Sequence, residues 1–211
     1  MTEPTKLTMP TPLPLFPLQM VLFPGAVLAL KVFEARYLDL ISTCMRSRQP
    51  FGVLCLQSGF DAGRSEMPVL MENTGVLAHV EDVDAEQPGI LRVRCLGGER
   101  FRLTDAATQR DNGLWVAPAQ TIAPDPLRTP GPAMLATVTA LAEAIRKLQS
   151  QDRTPFAPPY RLDDAGWVAN RWCELLPLSL AAKQKLMALE DPVIRLSLVD
   201  GFLRDKKVVV G

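Results

Sequence analysis

The 211-residue sequence predicts an α+β fold: a strand-rich first half with one inserted helix, then an all-helical second half. Three observations carry this reading. Short apolar runs of strand length, bounded by proline and glycine, fill residues 13–122. Five prolines crowd the stretch from Pro118 to Pro132. Beyond them, apolar residues recur at helical spacing to the end of the chain. The expected organisation is a strand domain over residues 1–124, a stiff proline-rich linker over 125–132 and a helical bundle over 133–211.

Composition removes several classes. With 47% apolar and 22% charged residues the chain has ample material for a core, so disorder is excluded. Lys+Arg and Asp+Glu are each 23, and a zero net charge argues against a protein built around a phosphate backbone. Residues Leu7 to Leu30 carry no charge, but Pro10, Pro12, Pro14, Pro17, Pro24 and Gly25 interrupt them. A spanning helix would lose several backbone hydrogen bonds in hydrocarbon, so this segment is read as extended chain folded into a core. No membrane contact and no secretory signal are expected, and the chain reads as cytoplasmic. Cys44, Cys55, Cys95 and Cys173 are widely spaced and accompany a single histidine, His79. They read as reduced core residues, and no metal site is expected.

The elements follow in order. Leu13 to Leu18 is an apolar strand whose prolines confine it to a sheet edge, a bulge or a short pairing. Pro24-Gly25 is a turn, because proline sets φ and glycine accepts the positive value that follows. Val27 to Phe33 returns as a strand. Glu34 to Arg48 is a helix with Tyr37, Leu38, Ile41 and Met45 as its apolar stripe. Phe16, Phe23 and Phe33 read as core. Phe51 to Gln57 is a buried strand, and Thr74 to Val83 an alternating one. Ile90 to Thr104 reads as a hairpin. A three-residue Gly97-Gly98-Glu99 turn would set Cys95 opposite Phe101 and Val93 opposite Leu103. Leu114 to Ile122 closes the set.

In the second half, Ala133 to Gln149 is a helix with Leu135, Val138, Leu141, Ala142 and Ile145 on one side. A proline-rich loop from Asp152 to Arg161 holds Phe156 and Tyr160. Asp163 or Asp164 caps a helix through Trp167 and Trp172, Ser179 caps the next, and Asp191-Pro192 opens the last. Ile194, Leu198, Val199 and Phe202 form its expected stripe.

The chemistry expected of an enzyme is missing. No glycine-rich loop ends in Lys and Ser or Thr, and Gly97-Gly98-Glu99-Arg100 would put a carboxylate where a phosphate must sit. Ser179 and Lys183 are more simply a cap and a surface lysine. Cys55, in an apolar run, is a poor partner for His79. No catalytic residue and no cofactor are expected. The strongest electrostatic feature is a stripe of Arg92, Arg94, Arg100 and Arg102, a candidate contact for a partner unless neighbours such as Glu81 neutralise it.

Three motif groups resemble a known family. The opening runs Pro14-Leu15-Phe16-Pro17-Leu18, Val21-Leu22-Phe23-Pro24-Gly25 and Leu28-x-Leu30-x-Val32-Phe33-Glu34-x-Arg36-Tyr37. The middle is Gly97-Gly98-Glu99-Arg100-Phe101. The end runs Trp167-Val168-Ala169-Asn170-Arg171, Glu174-Leu175-Leu176-Pro177 and Asp191-Pro192. Together they resemble the Lon protease N-terminal domain. The resemblance implies a PUA-like, mostly antiparallel β-barrel with one inserted helix, followed by a helical bundle. It marks Pro17, Phe23, Pro24, Gly25, Phe33, Glu34, Arg36, Tyr37, Gly98 and Phe101 as structural motif residues. In full-length Lon enzymes this region helps select substrate polypeptides. The sequence carries neither the ATPase nor the Ser–Lys protease module, so a stand-alone, non-catalytic member is expected.

The function expected is therefore binding of unfolded or extended polypeptide, in protein quality control or proteolysis. Candidate contacts are Leu13 and Leu15 on the proline-broken strand and Phe156 and Tyr160 in the aromatic loop. The alternative is RNA binding through the arginine-bearing face, by analogy with other PUA-like domains. Zero net charge disfavours nucleic acid. Oligomeric state is left open.

Overall fold

The computed structural model describes residues 12–57, 70–151, 153 and 156–209, and divides the chain into two units, Met1–Pro124 and Asp125–Gly211. Leu7 to Thr11 of the uncharged run, and Asp152, Thr154 and Pro155 of the aromatic loop, lie outside the described residues.

Among the described residues the first unit holds eight strands and a helix. They are β1 (Leu13–Leu18), β2 (Val27–Val32), α1 (Ala35–Ser47), β3 (Phe51–Cys55), β4 (Thr74–Gln87), β5 (Ile90–Leu103), β6 (Thr108–Gln109), β7 (Trp115–Ala117) and β8 (Ala119–Thr121). The strands form one mixed sheet in the order β2-β5-β4-β3-β1-β7-β6, with β8 paired to β5. The β1–β3 pair is parallel and the others are antiparallel. The expected barrel is therefore corrected to an open sheet among the described residues. Proline is the reason: Pro118 splits the last segment, so β7 pairs with β1, β8 pairs with β5, and no ladder runs through.

β1 lies inside the sheet, not at its edge. Leu13, Pro14 and Leu15 pair with β7, whereas Leu15 to Leu18 pair with β3. The two ladders overlap at Leu15 alone, so each proline sits where the strand is paired on one side and can turn its missing N–H to the other. Leu13 and Leu15 point into a core with Leu54, Leu77, Phe101, Ala117 and Ala119.

The expected 90–104 hairpin does not exist. Ile90 to Leu103 is one strand, paired with β4, and the hairpin turn is Pro88-Gly89 between the paired Gln87 and Ile90, with Gly89 at φ +82°. Gly97 and Gly98 serve close approach instead of turning. A Cβ on Gly97 would lie 2.5 Å from the Phe23 carbonyl oxygen, and one on Gly98 2.6 Å from His79 Nε2. Gly25, at φ +75°, does make the expected turn, and its N–H donates to the Gly97 carbonyl at 2.8 Å.

α1 starts after Glu34 and ends on Arg48, at φ 56°. Its buried face is Tyr37, Leu40, Ile41 and Cys44, so the expected stripe is rotated and Met45 is exposed. Tyr37 decides this, stacking on Phe16 with centroids 3.9 Å apart.

The second unit comprises a 3₁₀ turn (Pro132–Met134), α2 (Leu135–Gln149), α3 (Ala165–Leu175), α4 (Leu180–Ala188) and α5 (Pro192–Asp205). Asp164, Ser179 and Asp191 cap α3, α4 and α5 through their side chains. Two expected stripes are corrected. α2 buries Thr137, Leu141 and Ile145 and leaves Leu135 exposed; α5 buries Leu196, Val199 and Leu203 and leaves Ile194 and Leu198 exposed. Polar anchors set these rotations. Thr137 donates to Asp200 at 2.5 Å, and Arg195 turns inward to Asp125, Asn170 and the carbonyls of Leu186 and Leu189. The connector is not an independent spacer either, since the Arg128 carbonyl accepts from Ala165 N–H at 2.7 Å.

Candidate functional site

Among the described residues β2 pairs with β5 alone, so its other edge presents unpaired backbone groups. Lys31 stands on this strand, the kind of residue that guards an open edge. Beside it lies a shallow concavity of about 460 Å³, lined in part by Leu30 and Lys31 of β2, Arg92 and Arg94 of β5, and Asp82 and Asp84 of β4.

β2 runs directly into Phe33, which is 64% exposed and not in the core as the sequence suggested. The turn is held from the other side. Arg36 bonds Glu34 at 2.5 Å and the Gly113 carbonyl at 3.1 Å, and its guanidinium lies 5.0 Å from the Tyr37 ring centroid. With Tyr37 stacked inward and Arg36 tied down, the ring of Phe33 is left to solvent. The open edge and Phe33 together form a surface with main-chain donors and acceptors along one side and an aromatic contact at its end.

The arginine stripe is not a uniform basic face. Arg92 pairs with Glu86 at 3.0 Å and Arg94 with Glu81 at 2.6 Å, and the Arg92 hydrogen bond holds the Glu86 carboxyl below its ordinary range. Arg100 is only 3% exposed, while Arg102 is exposed and stands in register between Thr74 and Gln120. Exposed pairs such as these add little stability, but they cancel most of the field that a polyanion would need.

Leu13 and Leu15 are buried, as are Phe23 and Phe101, and Pro17 lies within β1. Phe156 is 3% exposed, set edge-on to Trp167 and beneath the Arg171 guanidinium, which is 5.3 Å from its ring centroid. Tyr160 is half-buried 5.9 Å from the Trp167 ring, and its hydroxyl accepts from Gln149 at 3.2 Å. Arg171 is itself wholly buried, with Glu174 at 2.5 Å. Burial pushes the Glu174 carboxyl up to about 7, against the pull of Arg171 and Lys183, and lowers the pKa of Arg171. Sequence reasoning missed β2 as the edge, Phe33 as a surface residue and the burial of Arg100, Arg171 and Arg195. Lys31 between apolar neighbours was the available signal for the edge.

No nucleophile is set up for chemistry among the described residues. Cys55 and His79 lie on the neighbouring strands β3 and β4. The register Phe51↔Ala78 leaves them about 16 Å apart along the strands. Burial raises the Cys55 thiol, and lifts those of Cys44, Cys95 and Cys173 to about 11, about 12 and about 12. All four cysteines are buried and free. The Ser179 hydroxyl caps its own helix at Ala182 N–H, and Lys183 Nζ points to the Glu174 carbonyl. No group of three or more His, Cys, Asp and Glu residues suited to a metal occurs among the described residues, and no described helix is long and apolar enough to cross a membrane.

Fold and surface thus define an α+β protein in which a proline-interrupted mixed sheet, open at the β2 edge, precedes a unit with four α-helices among the described residues. The family model for the ATP-dependent protease La (LON) substrate-binding domain matches residues 12–205, and the chain belongs to this family. The crystal structure of a Lon N-terminal domain protein from Xanthomonas campestris is similar at 34% identity and a TM-score of 0.73, covering 90% of this chain and 98% of that one. The N-terminal domain of the Mycobacterium avium complex Lon protease shares the fold at 17% identity and a TM-score of 0.60, covering 92% of this chain and 99% of that one. No curated protein matches the chain.

Proposed function

We propose that this protein is a non-catalytic polypeptide-binding module that takes an extended segment of a client chain along β2. The carrying observation is that the open β2 edge leads straight into the exposed Phe33. Strand addition suits a client of varied sequence, because main-chain hydrogen bonds supply affinity whatever the side chains are. Phe33 adds preference for an apolar or aromatic residue at one end of the bound segment. Family membership supports polypeptide as the ligand class.

Leu13, Leu15 and Phe156 have no part in this site, since each is buried where it stands. The test is titration of the full chain with fluorescent peptides taken from an unfolded protein. Saturable binding is expected at tens of micromolar, on the order of a small, ordering-limited interface. Phe33→Ala should weaken it about tenfold, the loss of one exposed aromatic contact. A peptide N-methylated on the amides that face β2 should not bind. Equal affinity for methylated and unmodified peptides would overturn the strand-addition reading.

A further inference from the structure

We infer that a recess between the end of α1 and β4 binds the C-terminal carboxylate of a polypeptide that ends in an apolar residue. The recess holds about 310 Å³ and is lined in part by Met45, Arg48 and Gln49 at the end of α1 and by His79, Val80 and Glu81 of β4. It shares no lining residue with the concavity beside β2, so it is a second site.

Arg48 supplies the charge. Its guanidinium has no hydrogen-bond or ion-pair partner among the described residues, whereas Arg46, two positions earlier, is spent on Ser42 and Thr43 of its own helix. The backbone at Arg48 sits at φ 56°, ψ 22°, where glycine is the easy occupant and a side chain is strained. An arginine kept there against local preference, lining a recess and unmatched, marks a ligand contact. Glu81, the carboxylate in the lining, is already matched by Arg94 at 2.6 Å, and Glu99 lies 4.0 Å from His79 Nε2. One positive charge is left over in the lining.

That single charge matches a carboxylate, whereas a phosphate would bring a second negative charge beside Glu81. A guanidinium takes a carboxylate through two parallel N–H bonds, and the Gln49 amide has a further N–H to donate. Val80 is half-buried and Met45 is 53% exposed and adaptable, so together they offer apolar contact to the side chain next to the carboxylate. His79 presents a ring nitrogen to the last peptide link. Arg48, Gln49, His79 and Glu81 are all exposed, so the recess can hold a chain end and let the rest of the chain leave. A free small acid would stay largely in water there, whereas pockets for such ligands enclose most of their surface. Polypeptide as the ligand class rests on the function proposed above; the site itself does not need the β2 edge.

Fluorescence anisotropy of the full chain tests this with a labelled hexapeptide that ends in valine and is N-methylated on alternate amides, so that it cannot add to β2. Saturable binding on the order of 100 µM is expected of a small, solvent-open site. The same peptide as a C-terminal amide should bind about tenfold more weakly, the loss of a charge-assisted contact. Arg48→Gly should lower the acid peptide to the affinity of the amide while melting no lower than wild type, because glycine is at home at φ 56°. Arg48→Lys should keep part of the affinity, since it has the charge without the fork. Isovalerate, a free acid with the same side chain and no peptide link, should compete about tenfold less well than the peptide. No saturable binding, equal affinity for acid and amide, binding undiminished by Arg48→Gly, or isovalerate as effective as the peptide would each overturn the proposal. A guanidinium that serves only the carbonyl end of α1 would give the third of these results. Failure of strand addition at β2 would leave all of them unchanged.

Discussion

Arg195 and Asp125, 70 positions apart in the chain, form a two-pronged ion pair: Nη1 lies 2.6 Å from Oδ2, and Nη2 3.3 Å from Oδ1. The guanidinium is fully used. Nη1 also donates to Asn170 Oδ1 at 3.1 Å, Nε donates to the Leu186 carbonyl at 2.9 Å, and Nη2 reaches the Leu189 carbonyl. An arginine with every donor placed tolerates burial, and this one ties the proline-rich connector to α5.

Removing one partner of that pair should be costly. Asp125→Ala leaves a buried cation with part of its shell gone, and the loss of stability should be about 3–5 kcal/mol. Urea unfolding followed by circular dichroism measures it. A loss below about 1 kcal/mol, the range of an exposed pair, would show that Asp125 is not the anchor described.

Glu174 should make the protein less stable as pH rises through neutrality. Burial lifts its folded pKa to about 7 from an ordinary 4.5, so between these values the folded state holds a proton that the unfolded state has released. Its contribution is complete below about pH 4.5 and is lost by about pH 7, a swing on the order of 3 kcal/mol. Arg171 and Lys183 face it and hold the carboxyl lower than burial alone would, and Asp200, whose pKa is lowered, titrates below that window. Denaturation at pH 5 and pH 8 should show the difference in the wild type and not in Glu174→Gln. The same slope in both would assign it to another group.

The glycine pair of β5 should respond unequally to alanine. At Gly97 the new Cβ meets the Phe23 backbone carbonyl, which cannot retreat without disturbing the Gly25–Gly97 and Gly97–Ala26 hydrogen bonds. The expected cost is about 3 kcal/mol. At Gly98 it meets the exposed His79 ring, which can swing aside, for a cost below about 1 kcal/mol. Thermal melts of the two variants decide between this strand and a turn, where both would suffer alike.

Phe23 and Phe33 should behave oppositely. Phe23 is wholly buried, and Phe23→Ala should cost about 3–5 kcal/mol. Phe33 is largely exposed, and Phe33→Ala should change stability by less than about 0.5 kcal/mol. Chemical denaturation of both variants checks the pair, and a large loss at Phe33 would return it to the core.

Much of the local structure was legible in the sequence because short-range rules govern it. Pro24-Gly25 makes its turn, Ser179 and Asp191 cap their helices, Pro192 opens α5, and Phe51 to Cys55 is a strand buried throughout. Each depends on residues a few positions apart. The glycines at 97 and 98 misled for the same reason. Locally they spell a turn, and only Phe23 and His79, brought up from distant segments, show that they make room for neighbours. The Pro88-Gly89 turn was equally visible and would have corrected the reading.

By itself, then, the amino-acid order determined the α+β class and the helix starts, and its motifs pointed to the Lon family. Tertiary structure alone decided which strand became the edge, since that depends on who pairs with whom across the sheet. It decided that Phe33 faces solvent while Tyr37 stacks on Phe16. It also decided that Arg195 turns inward and rotates Ile194 and Leu198 outward. The physical reason is common to all three: burial is settled by competition among contacts distant in sequence, and a polar group with all its partners in place can displace an apolar one from the interior.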